Sequence, residues 1–157
     1  MDEPPPRTTP PDERGRAKAP EFLAGYPVIV EIPVQWGELD AYGHVNNAVF
    51  FRYFESARMA YLERCGLIET YHRDKVGAIL HSTSCRFRRA LFYPDTALIG
   101  ARVTQIEDDR FTMAYRVVST AQAEVAAEGT GVVVVFDYNR REKTAIPASV
   151  RERIAAG

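Results

Sequence analysis

A chain of 157 residues, 46% of them hydrophobic, is long enough for one domain with a real core and too short for two. Its net charge of −1, with acids and bases interspersed, offers no one-signed field for nucleic acid or an anionic membrane. Cys65 and Cys85 are too few for a disulfide framework and read as free thiols of a cytoplasmic protein; no apolar run is long enough to insert in a membrane, and the N-terminus lacks the apolar core of a signal peptide.

Residues 1–20 carry six of the ten prolines and many charges, with almost nothing to bury. Such a segment cannot offset its ordering entropy, so the composition predicts a disordered leader ahead of one domain over residues 21–157. From Val28 the pattern alternates: Val28, Val30, Ile32, Val34 and Trp36 on one side, Ile29, Glu31, Pro33 and Gln35 on the other. That period of two is a strand with one buried face, and Pro33, which cannot donate to a ladder, places it at a sheet edge or a bulge.

After a polar patch, Phe50, Tyr53, Phe54, Ala57 and Tyr61 recur at helical spacing, and Gly66 marks the stop of one long helix. Glu55 and Arg58, three apart, are spaced to pair with each other or across a subunit interface. The segments 78–89, 97–107, 110–119 and 123–138 are rich in β-branched and aromatic residues and read as four meandering strands. "YPD" at 93–95, "EDD" at 107–109 and "TAQA" at 120–123 supply turns of hairpin length. A short terminal helix follows, with Ser149 as its expected cap and Glu152 at its third position. Strand, long helix, then four strands argues an α+β fold, a helix lying across a strongly curved antiparallel sheet.

The stretch "ELDAYGHVNNAVFF" (38–51) gathers the polar groups. Asp40 lies seven residues before Asn47, where the helix begins, so its carboxylate can stand beside unpaired amides and the positive end of the macrodipole. An acid next to such donors has the two parts acyl transfer needs, a base or nucleophile and a stabiliser for the tetrahedral oxygen. The plainer reading of Asp40 is a capping or dipole interaction, and capping alone would also account for Asn46 and Asn47. Gly43 permits a tight backbone path between them. His44 has three readings: a hydrogen bond that fixes the loop, ranked first; a general base; and, last, a metal ligand, since no ligand cluster accompanies it. Arg88 and Arg89, at the exit of the second strand, suit phosphate recognition, with a solvated strand end as the plainer role of either one.

The run "VQWGELDAYGHVNNAVFFRYFESARMAYL", with its D-x-x-G-H-V-N-N core and E-x-A-R continuation, resembles the 4-hydroxybenzoyl-CoA thioesterase family, acyl-CoA thioesterases of the hotdog fold. "RRALFYPDTALIG" and "AAEGTGVVVVFDYNRREKTAIP" resemble later parts of the same family, so the likeness covers roughly residues 27–148. It implies a hotdog fold, one long helix wrapped by a curved five-stranded antiparallel sheet. It implies a homodimer or homotetramer that binds acyl-CoA along a subunit interface, without cofactor or metal. Asp40 matches the family's catalytic aspartate, nucleophile or base, and the Asn47 amide its helix-start donor to the thioester carbonyl; His44 and Val45 line the same loop. Leu39 departs from the small hydroxyl or thiol residue that many members carry before the aspartate. The expected substrate-binding set is Gly43, His44, Val45, Asn46, Arg88 and Arg89. The first function reading is therefore an acyl-CoA thioesterase. The alternatives are an acyl-carrier-protein thioesterase, with Arg86, Arg88 and Arg89 as a docking patch, and a non-catalytic hotdog module that binds acyl-CoA. A hotdog dehydratase fits less well, because it needs a histidine placed differently from His44.

Overall fold

The computed structural model describes residues 21–157; the proline-rich leader lies outside the described residues. The strands are β1 (Val28–Pro33), β2 (Val76–Phe87), β3 (Thr96–Ile106), β4 (Arg110–Ser119), β5 (Glu124–Asp137) and a two-residue β6 (Glu142–Lys143). The helices are α1 (Asn47–Arg64), α2 (Leu67–Asp74) and α3 (Ala148–Ala155), with a 3-10 turn at Trp36–Glu38. Every strand pairing is antiparallel and the order across the sheet is β1-β3-β4-β5-β2, with β6 appended to β5.

The strands expected from alternation are present, but only β3, β4 and β5 form a meander. β2 crosses to the far edge and pairs with β5, so "YPD" joins two strands that do not pair with each other and is no hairpin turn. Pro33 lies on β1, the opposite edge, where its missing N–H leaves no gap in a central ladder. Trp36 leaves the stripe: it stands in the 3-10 turn at 72% exposure, because the two-residue period ends with the strand at Pro33. Gly66 does follow the long helix, with φ of +85°, yet the chain coils again at once into α2. The spacing of Leu67 and Thr70, which α2 buries, is too short to have stood out as a periodic pattern. Ser149 does not cap α3; the helix begins at Ala148 behind Pro147, with no side-chain cap, and anchors through buried Val150 and Ile154.

Phe50, Tyr53, Phe54, Ala57 and Tyr61 of α1 are buried against Ile99, Phe111, Met113, Tyr115, Val117 and Val133 of the sheet. The Phe54 and Tyr115 rings stack at 4.9 Å. That contact needs glycine at position 129, where a Cβ would lie 2.5 Å from Phe54 Cζ. The other side of the sheet carries a smaller cluster, Leu23 and Tyr26 against Val118, folded over Gly100. Buried Asp95 ties the sheet ends together, accepting from the backbone amides of Thr96 (2.7 Å) and Ala121 (3.0 Å) and from the hydroxyls of Ser119 and Thr120.

Candidate active site

β1 ends beside Asp95, whose carbonyl accepts the Val34 amide (2.9 Å), and the chain turns through Trp36–Glu38. Glu38 closes that turn by accepting the Gln35 amide at 2.6 Å, and its own carbonyl accepts the Asn46 amide at 2.9 Å. The turn is thereby fixed to the start of α1. Leu39 and Val45 form a bridge, and the five residues between them close on themselves: the Asp40 amide donates to the His44 carbonyl (2.7 Å) and the Gly43 amide to the Asp40 carbonyl (3.1 Å). Gly43 has φ of +77°, so glycine is the residue this turn calls for.

Asp40 is held inside this loop. Its Oδ1 accepts the amides of Tyr42 (2.8 Å) and His44 (3.3 Å), an Asx-type turn that fixes the carboxylate's direction. Its Oδ2 has no hydrogen-bond donor among the described residues. One side of the carboxylate positions it, and the other is available for chemistry.

At the head of α1, the Asn46 side chain accepts the Ala48 amide (3.0 Å) and the Asn46 carbonyl accepts the Val49 amide (3.0 Å). The Asn47 amide has no acceptor among the described residues. It is an orphan donor in the first turn, at the positive end of an 18-residue helix.

Asp40, His44, Val45 and Asn47 line one cleft of about 300 Å³ together with Phe50, Phe87, Arg88, Arg89 and Ala90. Six of the eight sequence-predicted residues are thus brought together: Asp40, His44, Val45, Asn47, Arg88 and Arg89. Gly43 and Asn46 are placed differently; both are exposed and shape the loop and the helix start rather than lining the cleft. His44 is bound to the loop through its backbone, and its ring meets Phe92 edge-on at 5.1 Å. The apolar wall is Phe50 against Phe87, perpendicular at 5.2 Å. Phe87 was missed, although alternation from Cys85 puts the two on one face of the strand.

Arg88 and Arg89 both donate their backbone amides to the Ala126 carbonyl, which turns the end of β2 toward the cleft. Their side chains already have partners, Glu128 for Arg88 (3.1 Å) and Glu124 for Arg89 (3.6 Å). Glu55 and Arg58 do not pair with each other. Glu55 lies 4.0 Å from Arg52, and Arg58 turns inward to donate to the Tyr115 hydroxyl at 3.3 Å. Beneath the loop, burial of Tyr53 and the nearby Glu38 and Asp95 carboxylates push its hydroxyl pKa well above the usual phenol range. It therefore stays protonated. No group of three His, Cys, Asp or Glu side chains among the described residues could hold a metal ion, and no described helix is long and apolar enough to cross a membrane.

A helix laid on a curled antiparallel sheet recurs in solved thioesterase structures. The crystal structure of a thioesterase from Thermus thermophilus, complexed with coenzyme A and Zn, is 30% identical and superposes with a TM-score of 0.74 over 85% of this chain and 95% of that one. A thioesterase superfamily structure from Jannaschia sp. CCS1 is 27% identical with a TM-score of 0.80 over 98% of this chain and 95% of that one. The chain is also similar to the long-chain acyl-CoA thioesterase FadM of Escherichia coli (strain K12), 22% identical over 79% of this chain and 94% of that protein. The fold is the hotdog fold. The family model described as the thioesterase-like superfamily matches residues 34–154, and the chain belongs to that superfamily.

Proposed function

We propose that this protein hydrolyses acyl-CoA thioesters to free acid and CoA, in the manner of the 4-hydroxybenzoyl-CoA thioesterases that its D-x-x-G-H-V-N-N motif resembles. One observation carries the reading: Asp40, with one carboxylate oxygen unengaged, and Asn47, with an amide that has no acceptor among the described residues, line the same cleft. The thioester carbonyl lies between them, its oxygen toward the Asn47 amide and its carbon toward Asp40. Charge gathers on that oxygen as the carbonyl is attacked, and a fixed donor at a helix start stabilises it without reorganisation. Asp40 acts either by adding to the carbonyl, with water then cleaving the anhydride, or by taking a proton from an attacking water. In both routes one water is consumed, the C–S bond breaks, and the thiolate leaves as CoA once protonated.

Phe50 and Phe87 give the acyl chain an apolar wall, and Arg88 and Arg89 flank the mouth where the carrier's phosphates approach. Relatives with coenzyme A bound or acyl-CoA thioesterase activity support this substrate class. The unit is a homodimer or a pair of dimers: β2 is a 12-residue edge strand with Ile79 and Leu80 exposed, the kind of edge that proteins cover by pairing. Cys65 and Cys85 are both free thiols, which supports a reducing, cytoplasmic setting.

The test is single-turnover hydrolysis of a panel of acyl-CoAs by folded Asp40→Ala protein. Loss of a general base costs about 10²–10⁴-fold in rate, and loss of a nucleophile more. A rate within a few-fold of wild type would remove Asp40 from the chemistry. Label from ¹⁸O-water in the Asp40 carboxylate establishes the anhydride route, because water attacking the Asp40 carbonyl of the anhydride puts it there and general-base hydrolysis never does.

A further inference from the structure

A second hollow opens on the sheet face turned away from α1, where the register is regular. One row of partners crosses four strands as Arg86–Glu128–Arg116–Gly100, and the next row as Ser84–Thr130–Ala114–Arg102. The second row has small side chains at its centre, so a hollow of about 470 Å³ opens between Arg86, Arg116 and Arg102. Tyr26, folded over Gly100, forms one end wall. On the floor the hydroxyls of Ser84 and Thr130 lie 2.8 Å apart.

Four guanidinium groups line this hollow, those of Arg86, Arg88, Arg102 and Arg116, against one carboxylate, Glu128. Glu128 is committed: Arg116 (2.7 Å) and Arg88 (3.1 Å) both bind it, and their bonds hold its carboxyl below the usual range and hence ionised. Arg86 and Arg102 have no carboxylate partner among the described residues. Arg102 lies over the Tyr26 ring, its guanidinium carbon 4.8 Å from the ring centre. Two guanidinium groups without a carboxylate partner, Arg86 and Arg102, and a hydroxyl pair between them match a compact oxyanion with several acceptor oxygens.

We propose that this hollow is a phosphate-binding site, in which Arg86, Arg102 and the Ser84–Thr130 hydroxyls take the phosphate oxygens. Arg88 and Arg116, braced by Glu128, supply the surrounding positive field. The phosphate belongs either to a free phosphate compound or to the substrate's own carrier, because Arg88 lines both this hollow and the Asp40 cleft. Binding is read without any turnover, so the site stands or falls separately from the role of Asp40.

The experiment is calorimetric titration of the full-length protein with inorganic pyrophosphate at low salt. Wild type binds saturably; Arg86→Ala and Arg102→Gln each weaken binding about tenfold, the effect of losing one charge-assisted hydrogen bond. Asp40→Ala binds as wild type does. Arg86 and Ser84 are exposed, so Arg86→Ala and Ser84→Ala decide the matter even if Arg102→Gln is poorly folded. Absence of saturable binding to wild type, or undiminished binding to Arg86→Ala and Ser84→Ala, overturns the site. Pyrophosphate that raises KM for an acyl-CoA at constant kcat, with the effect lost in Arg86→Ala, supports the site with the carrier as its source. Saturable, Arg86-dependent binding that leaves KM unchanged supports it with a free phosphate compound as the source.

Discussion

Gly129→Ala tests how tightly α1 is seated on the sheet. The added Cβ would lie 2.3 Å from Phe54 Cε2, 2.5 Å from Phe54 Cζ and 2.7 Å from the Ser84 carbonyl oxygen. None of these can move cheaply. Phe54 is fully buried and stacked on Tyr115, and the Ser84 carbonyl belongs to the strand paired with β5. Overpacking a closed core costs about 1–3 kcal/mol, and three contacts this short put the cost near the top of that range. Replacing glycine also removes freedom from the unfolded chain, worth at most about 1 kcal/mol in the other direction. The net loss is about 2 kcal/mol or more, which in a chain of this size lowers Tm by roughly 4–8 °C. Differential scanning calorimetry measures it, with Gly37→Ala as the control, because a Cβ there meets nothing within 4 Å. The control holds within about 1 °C, since exposed substitutions without strain cost little. A Gly129→Ala protein melting within about 1–2 °C of wild type would refute the claim that glycine is required for the Phe54 contact.

Gly43→Ala meets no atom but must hold φ of +77°, so it costs about 1–2 kcal/mol and moves the Asp40 turn; kcat falls while KM for an acyl-CoA stays close to wild type. An unchanged kcat would show that the turn does not position Asp40. Glu128 titrates below its ordinary value because Arg116 and Arg88 bind it, so its contribution is present above the unfolded pKa of about 4.3 and lost as pH falls through the lower folded value. The Tm gap between wild type and Glu128→Gln is therefore open at pH 7 and closes in strong acid; a gap of equal size at pH 2 contradicts the ion-pair account. Burial pushes the Cys85 thiol up from 9.0 to about 11, so at pH 8 its thiolate fraction, and with it its alkylation rate, is about a hundredfold below that of an unburied thiol. Mass spectrometry after iodoacetamide treatment checks this, native against urea-unfolded protein. Leu80→Arg adds charge to the exposed β2 edge and shifts light scattering toward the monomer; an unchanged mass places the interface elsewhere.

Local pattern carried most of the elements. Alternation in Val28–Pro33, the β-branched and aromatic run of Arg110–Ser119 and the helical stripe from Phe50 to Tyr61 each show within a few residues, so local pattern locates them. The D-x-x-G-H-V-N-N loop was legible for a similar reason: Asp40, Gly43, Asn46 and Asn47 sit in a loop whose bonds each span only a few residues, and turn and cap chemistry is local. Strand order was not local. β2 reaches β5 across some fifty residues of chain, and nothing near residues 78–89 distinguishes a strand paired with its successor from one that crosses to the far edge. The walls of the cleft depend on that crossing, because it brings Phe87 and Arg88 against the start of α1. Charge pairing followed the same rule. Helical spacing suggested Glu55 with Arg58, but an inward-facing hydroxyl on β4 claims the arginine, and only packing could put Tyr115 there. The arginine-lined hollow is the clearest case: Arg86, Arg102 and Arg116 lie on three strands, and the sheet's register alone aligns them on one face. Sequence determined the period of each element and the chemistry of its one local loop; tertiary structure decided which strands are neighbours, and so which side chains share a cavity, because hydrogen-bond pairing between strands places no constraint on their separation along the chain.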